Sequence, residues 1–404
     1  MTYEIIAGGG VTSAAGFVAG AAQAAIKKPG RYDIALVYST VPAVGAGVFT
    51  LNVFQAAPVQ ISRKHLEKNE VRGFVVNSGC ANACTGDQGR LDAIEMAAKA
   101  AEAVGCKPGE FLVASTGVIG VNLPMAKLVK GIKEAGLHLS AANGNLAAQA
   151  IMTTDTFSKE LAIRIDLGGK KAVIGGMAKG SGMIHPNMAT LLSLVTTDAA
   201  ISKECLQQAL KSAVDKSFNM VTVDGDSSTN DTLAVLANGQ AGNKKITDSK
   251  DPQYQIFADG LAYVCTELAK MIARDGEGAT KLMEVQVLNA SSEIDATLGA
   301  KAIAGSNLVK AALFGEDANW GRIICALGYS GAGFNPDLVD VYLGDLMMAK
   351  DGGGLVFDEA KAAEILKEKS VKITVDLKQD KFNATAWGCD LTYDYVKING
   401  DYRT

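Results

Sequence analysis

Two stretches of the chain alternate strictly between apolar and polar positions. Leu161, Ile163, Ile165 and Leu167 face one way, with Ala162, Arg164 and Asp166 opposite. Val371, Ile373, Val375 and Leu377 do the same against Lys372, Thr374 and Asp376. A period of two marks a strand with one buried face. It suits sheets packed differently on their two sides. Weaker patterns predict strands at 31–38, 73–77, 110–115, 171–178, 191–197, 231–237, 283–288, 321–327 and 338–343. The helical period predicts helices at 91–104, 124–135, 201–216, 253–273, 299–314 and 358–368. In the first of these, Leu91, Ile94, Ala97, Ala98 and Ala101 form the inward stripe, with Glu95, Lys99 and Glu102 outside. Pro124 fits the first turn of the second, after Asn122 as its cap. Neighbouring strands mix with helix-separated ones. That order predicts a layered α+β protein, with stacked β-sheets flanked by helices, not a doubly wound nucleotide fold.

Composition narrows the function. Of 404 residues, 39 are Lys or Arg and 43 Asp or Glu, a net charge of −4. So small a charge argues against nucleic acid or an anionic membrane as partner. Mean hydropathy is positive, +0.14, but it comes largely from alanine. No run reaches the roughly 18–20 apolar residues of a spanning helix; the nearest, 12–26, is broken by Gly, Ser, Thr and Gln. The opening MTYEIIAGGG lacks a basic secretory segment. Seven scattered cysteines fit reduced thiols, and a cytoplasmic protein is expected. The 44 glycines, about 11% against an average of about 7%, imply many close backbone approaches.

Most motif templates fail. There is no phosphate-loop GxxxxGK[ST], no GxGxxG after a strand and no GxSxG elbow. The three histidines, His65, His138 and His185, have no metal-ligand spacing, and Cys80 and Cys84 have no histidine nearby. No metal is expected. A hydroxyl or thiol nucleophile would then need lysine or an N-terminal α-amine as its base.

The segment 178–198, AKGSGMIHPNMATLLSLVTTD, stands apart. A glycine-rich turn, a proline and a small alanine precede Thr190, which heads an apolar run. A cut before Thr190 would free an α-amine with a pKa of about 7.7–8, near what a general base needs at neutral pH. One residue would supply both nucleophile and base. On these residues alone a tight hairpin loop between two strands is the favoured reading.

KGSGMIHPNMATLL, however, belongs to an ordered series. GGGVTSAAGFVAGAAQAAIK and TVPAVGAGVFTLNVFQAAPV open it; VVNSGCANACTG, STGVIG and IMTTDTF precede it; VDGDSSTND, IARDGEGATK, FGEDANWGRI and YVKINGDYRT follow. The series resembles the ornithine acetyltransferase family, the glutamate N-acetyltransferases of the cyclic arginine pathway, over the whole chain. The resemblance implies an N-terminal-nucleophile-like fold and self-cleavage between Ala189 and Thr190. It would leave an α chain of residues 1–189 and a β chain of residues 190–404 in one compact body. Thr190 becomes the nucleophile, taking acetyl from N-acetylornithine and passing it to glutamate. Thr116 and Gly117 become the oxyanion pair. Thr153, Lys179, Glu277, Asn399 and Thr404 become substrate contacts, with Thr153 and Thr154 not separable. A role for the last two requires the carboxy-terminal tail to dock. His185 is read as loop structure, and Cys80 and Cys84 as packing.

The resemblance further implies amino-acid substrates, a heterotetramer of two α and two β chains, and no bound cofactor. Some members also take acetyl-CoA as co-substrate, and the sequence leaves that open for this chain. The rival readings are an amide hydrolase or aminopeptidase, in which water takes the acyl group, and a non-catalytic binding protein.

Overall fold

A computed structural model describes residues 3–68, 70–185 and 191–401. Its contacts fall into two units. The first comprises Met1–Gly180, Pro186–Asn219 and Ser227–Leu268; the second comprises Ser181–His185, Met220–Asp226 and Ala269–Thr404. Strands on the two sides of position 190 pair with each other within the first unit.

Among the described residues the first unit holds nine strands: β1 Glu4–Ile5, β2 Phe17–Ala22, β3 Ile34–Phe49, β4 Val71–Cys80, β5 Phe111–Val118, β6 Lys159–Leu167, β7 Lys170–Lys179, β8 Leu192–Thr197 and β9 Thr232–Ala237. Their order is β1-β6-β7-β8-β9-β3-β4-β5, with β2 also on β3. The long β3 explains the layering. Its Ile34–Tyr38 half pairs with β2 and β4, its Val44–Phe49 half pairs with β9, and the register on β4 slips between Tyr38 and Ala43. One strand thus serves two leaves.

Side-chain parity then builds the layers. Ala35, Val37, Phe74, Val76, Leu112 and Ala114 share a core with Ala162, Val173, Met177, Leu192, Leu194, Ala234 and Leu236 of the other leaf. The alternate residues Ile34, Leu36, Val75, Phe111 and Val113 face outward, onto helices. Those helices are α1 Ala57–Lys68, α2 Gly86–Val104 and α3 Met125–Leu137; α4 is the short Gly144–Ala150. Over the second leaf run α5 Lys203–Asp215 and α6 Pro252–Arg274. A Cβ on Gly176 of β7 would lie 2.8 Å from Leu268 of α6, so glycine there admits close packing of helix on strand. The result is helix, sheet, sheet, helix, the stacked α+β arrangement expected of an N-terminal-nucleophile-like fold.

The second unit is a six-stranded sheet of β10 Leu282–Ala290, β11 Asp340–Leu343, β12 Leu346–Lys350, β13 Gly353–Gly354, β14 Ser370–Asp376 and β15 Phe382–Cys389, in the order β13-β12-β11-β14-β10-β15. Its helices are α7 Glu293–Gly305, α8 Asn307–Phe314, α9 Trp320–Gly328, α10 Glu359–Lys367 and α11 Tyr393–Gly400. Of these, α7 packs on β10 and β15.

Several sequence expectations change. The run 321–327 is not a strand but lies in α9, with Ile323, Ala326 and Leu327 buried at helical spacing and Asn319 accepting from the Arg322 N–H at 3.2 Å. So short an apolar run fits either period. The helix at 299–314 is two helices, divided at Ser306, whose side chain caps α8. Helix α2 starts earlier and is rotated: Ala93, Met96, Ala97 and Ala100 are inside, while Leu91 is 59% and Ile94 48% exposed. Small side chains let α2 approach its neighbours closely. Pro124 is itself the N-cap of α3, and Asn122 is not. Residues 17–22, inside the most apolar stretch of the sequence, form β2. Among the described residues no helix is long and apolar enough to cross a membrane.

Candidate active site

In the first unit the site is built at the ends of β4 and β5. These strands are parallel, with Ser78 opposite Thr116 and Gly79 opposite Gly117, and the register slips at Cys80. Gly117 has φ +133°, and a Cβ there would sit 2.3 Å from the carbonyl carbon of Gly79 and 2.6 Å from the nitrogen of Cys80. Only glycine fits. Crowding of this kind costs about 1–3 kcal/mol, and a side chain at that φ costs a similar further amount. Gly117→Ala is therefore expected to lower the midpoint in chemical denaturation of the full chain.

Beside this pair lies a buried ion cluster. Lys179, at the end of β7, is 8% exposed and donates from Nζ to Thr116 Oγ1 at 3.4 Å. A hydroxyl that accepts from an ammonium keeps its own proton to give to a developing oxyanion. Asp155 organises the rest. Its Oδ1 accepts from Lys159 Nζ at 2.7 Å and from the Gly180 N–H at 2.7 Å, and its Oδ2 accepts from the Thr153 N–H at 3.0 Å. Both side chains of the Asp155–Lys159 pair have no exposure. Burial pushes the Asp155 carboxyl up, but Lys179 and then Lys159 outweigh it and hold the carboxyl at about 2. The ionised carboxylate thus fixes the Thr153 turn and the Gly180 backbone on either side of Lys179.

Just beyond the expected cleavage point, Leu191 is held in the first unit. Leu191 accepts at its carbonyl from the Thr232 N–H at 2.9 Å. The buried Asp231 carboxyl is pushed well above its ordinary value by burial, against hydrogen bonds from Ser228, Thr50 and the Leu191 backbone and the field of Lys179. Lys179 pairs with Leu192 across the antiparallel β7–β8 ladder. Ala189 and Thr190 themselves lie outside the described residues, as does Thr404.

The second unit carries the other predicted contacts. Glu277 is 6% exposed, donates its N–H to Ser181 O at 2.9 Å, and accepts from Asn399 Nδ2 at Oε2, 2.7 Å away. Gly182 makes room for this carboxylate: a Cβ there would lie 2.2 Å from Glu277 Oε2. The neighbouring Gly278, at φ +70°, lets the start of α11 close in, and Thr392 Oγ1 donates to Gly278 O at 2.8 Å. The tail thus docks through residue 400, as a role for Asn399 requires. His185 is half-buried, with Nδ1 3.0 Å from Thr222 Oγ1; burial and then Lys301 lower its pKa. It belongs to the loop.

The first unit therefore gathers Thr116, Gly117, Thr153 and Lys179, and the second gathers Glu277 and Asn399. Sequence reasoning passed over Asp155 and Asp231, although both stand inside quoted motifs, IMTTDTF and VDGDSSTND. The Asp-x-x-x-Lys spacing from Asp155 to Lys159 was the available signal. Cys80 is buried, as a packing residue should be, and burial pushes its thiol up, but Cys84 is exposed. Among the described residues no group of three or more His, Cys, Asp or Glu side chains could hold a metal ion.

Layered sheets with a hydroxyl, a crowded glycine and a buried lysine at their strand ends define a sandwich protein with a buried polar site. Comparison with known proteins makes the class specific. The profile of the ArgJ family matches residues 18–404. The chain is 59% identical over 398 residues to the arginine biosynthesis bifunctional protein ArgJ of Symbiobacterium thermophilum, covering 98% of this chain and 99% of that one. It is 50% identical over 407 residues to ArgJ 1 of Clostridium acetobutylicum, covering both fully. The crystal structure of the ArgJ protein of Bacillus halodurans aligns at 48% identity and a TM-score of 0.51, covering 52% of this chain and 98% of that one. The chain belongs to the ArgJ family, as its motifs indicated.

Proposed function

We propose that the chain transfers acetyl from N2-acetyl-L-ornithine to L-glutamate through an acetyl-threonine at Thr190. The observation that carries this reading is the contact of Lys179 Nζ with Thr116 Oγ1 beside a glycine that tolerates no side chain. It is a preformed cationic cradle for an oxyanion. The α-amine of Thr190 takes the Oγ proton as Oγ attacks the acetyl carbonyl. The Thr116 hydroxyl and the Gly117 N–H stabilise the tetrahedral oxyanion. Collapse expels ornithine, which receives the proton. The amine of glutamate then attacks the ester and leaves as N-acetylglutamate, completing a ping-pong cycle.

The same hydroxyl cuts the precursor. Oγ attacks the Ala189 carbonyl, the acyl group shifts from nitrogen to oxygen, and water hydrolyses the ester. The β7–β8 ladder then holds the α and β chains together. The B. halodurans chain, spanned almost completely by about half of this one, is of the size such scission leaves. Two copies of each chain would form a heterotetramer in the cytoplasm, where seven unpaired cysteines are at home.

Lys179 and Thr153 receive the substrate α-carboxylate, and Glu277, braced by Asn399, receives the ornithine ammonium; Thr404 completes the tail's contribution. Glu277→Gln is expected to raise KM for N-acetylornithine about 10-fold or more, the worth of one charged hydrogen bond, without raising KM for glutamate. Initial rates with each substrate varied in turn check this. We further propose acetyl-CoA as a second acetyl donor to glutamate. An assay with acetyl-CoA and glutamate tests it.

The deciding assay for the main reading supplies N-acetylornithine with and without glutamate. Ornithine and N-acetylglutamate should appear in equal amounts, with turnover dependent on glutamate. Sustained ornithine release without glutamate would favour the hydrolase instead.

A further inference from the structure

The motif VDGDSSTND contains a side chain that no step above uses. Asn230 is 6% exposed. Its Nδ2 donates to Ala81 O at 2.5 Å and to Ser115 O at 2.8 Å, and its Oδ1 accepts from Thr229 Oγ1 at 2.6 Å. Both amide hydrogens and the carbonyl are engaged, so the amide has one orientation. The two carbonyls it grips belong to the segments that carry the oxyanion pair. Ser115 immediately precedes Thr116, and Ala81 follows the Gly79–Cys80 backbone on which Gly117 is crowded. A second amide continues the brace: Ser115 Oγ donates to Asn77 Oδ1 at 2.6 Å, and Asn77 Nδ2 donates to Cys80 O at 2.9 Å.

The turn bearing Asn230 is also fixed to the head of β8. Thr232, two residues on, donates its N–H to Leu191 O at 2.9 Å and opens the parallel ladder opposite Leu192. Thr50 donates its N–H to Asp231 O at 3.0 Å and its Oγ1 to Ser228 O at 2.8 Å. One short turn therefore grips the residue before Thr116 with a side chain and the residue after Thr190 with its backbone.

We infer that Asn230 is a positioning residue, which sets the spacing between the Thr116–Gly117 oxyanion pair and the head of the nucleophile strand. The inference rests on the acetyl-transfer reading. Misplacing reacting groups by about 1 Å costs on the order of 10²-fold, so a brace at this joint governs rate without contacting substrate.

The test is rapid-quench measurement of ornithine release from N-acetylornithine, without glutamate, by the full self-cleaved protein. Burst amplitude counts competent sites, and the rate constant reports acylation. Asn230→Ala is expected to lower the rate constant about 10- to 100-fold, with amplitude per cleaved chain and KM close to wild type. In a Thr116→Ala background its further effect should shrink to about two- to threefold, because coupled residues are not additive. An unchanged rate constant, or a loss that multiplies in full with that of Thr116→Ala, overturns the inference. If Asn230→Ala does not accumulate, Asn230→Ser, which keeps a polar hydrogen in a smaller side chain, is read in the same way. A wild-type protein with no burst would instead count against the acetyl-transfer reading itself.

Discussion

Replacing Thr190 with alanine is expected to abolish self-cleavage and acetyl transfer together. A denaturing gel should show one full-length chain in place of two, and turnover should fall on the order of 10⁴–10⁶-fold, as when other hydrolytic nucleophiles are removed. Both losses share one cause. In the proposed mechanism the same Oγ attacks the Ala189 carbonyl in the precursor and the acetyl carbonyl in the mature enzyme. The alanine precursor should still fold, because β7 and β8, on either side of position 190, pair from Lys179 opposite Leu192 to Ile174 opposite Thr197 in the uncut chain. Thr190→Ser keeps a hydroxyl and should retain both activities at reduced rate. Transfer that survives in Thr190→Ala would place the nucleophile elsewhere.

Asp155→Ala is expected to be the most destabilising change in the site. It takes the carboxylate from Lys159, whose side chain has no exposure, and it frees the Gly180 and Thr153 backbones that the carboxylate ties. Breaking a buried pair by removing one partner costs about 3–5 kcal/mol, readable as a lower midpoint in chemical denaturation of the full chain. The acid limb follows from the same carboxylate. Its folded pKa, about 2, lies below the ordinary 3.8, so its stabilisation is fully present above about pH 4 and is lost as the pH falls through 2. A shift of that size is worth about 2 kcal/mol. Stability profiles of wild type and Asp155→Asn between pH 5 and 2 should converge towards the acid end. Profiles that stay parallel would mean that Asp155 is not held ionised by its lysines.

Much of the fold was legible because its strands carry their parity in sequence. The alternation at 371–377 appears as buried Val371, Ile373 and Val375 in β14, against exposed Lys372. Failures came where pattern has two physical readings. The apolar stretch in α9 is too short to show its period, and α2 buries alanines that a hydropathy stripe ranks below Leu91 and Ile94. The long β3 could not be read as a strand shared by two leaves, because its bend depends on partners far along the chain. In the site, the glycines were legible as places of close approach: Gly117 excludes a Cβ against the Gly79–Cys80 backbone, and Gly182 lies against the Glu277 carboxylate. The buried carboxylates were not. Asp155 and Asp231 look like surface residues until tertiary structure removes their water and sets Lys179 within electrostatic reach of both.

The claim at the centre is a covalent acetyl-threonine that only an amine acceptor discharges productively. It is tested most directly by quenching the enzyme with N-acetylornithine in the absence of glutamate and mapping the peptides by mass spectrometry. The expected result is one acetyl group on the hydroxyl of Thr190 at the start of the β chain, which disappears when glutamate is added as N-acetylglutamate forms. An unmodified Thr190, with acetyl on another residue or passed to water as acetate, would contradict it.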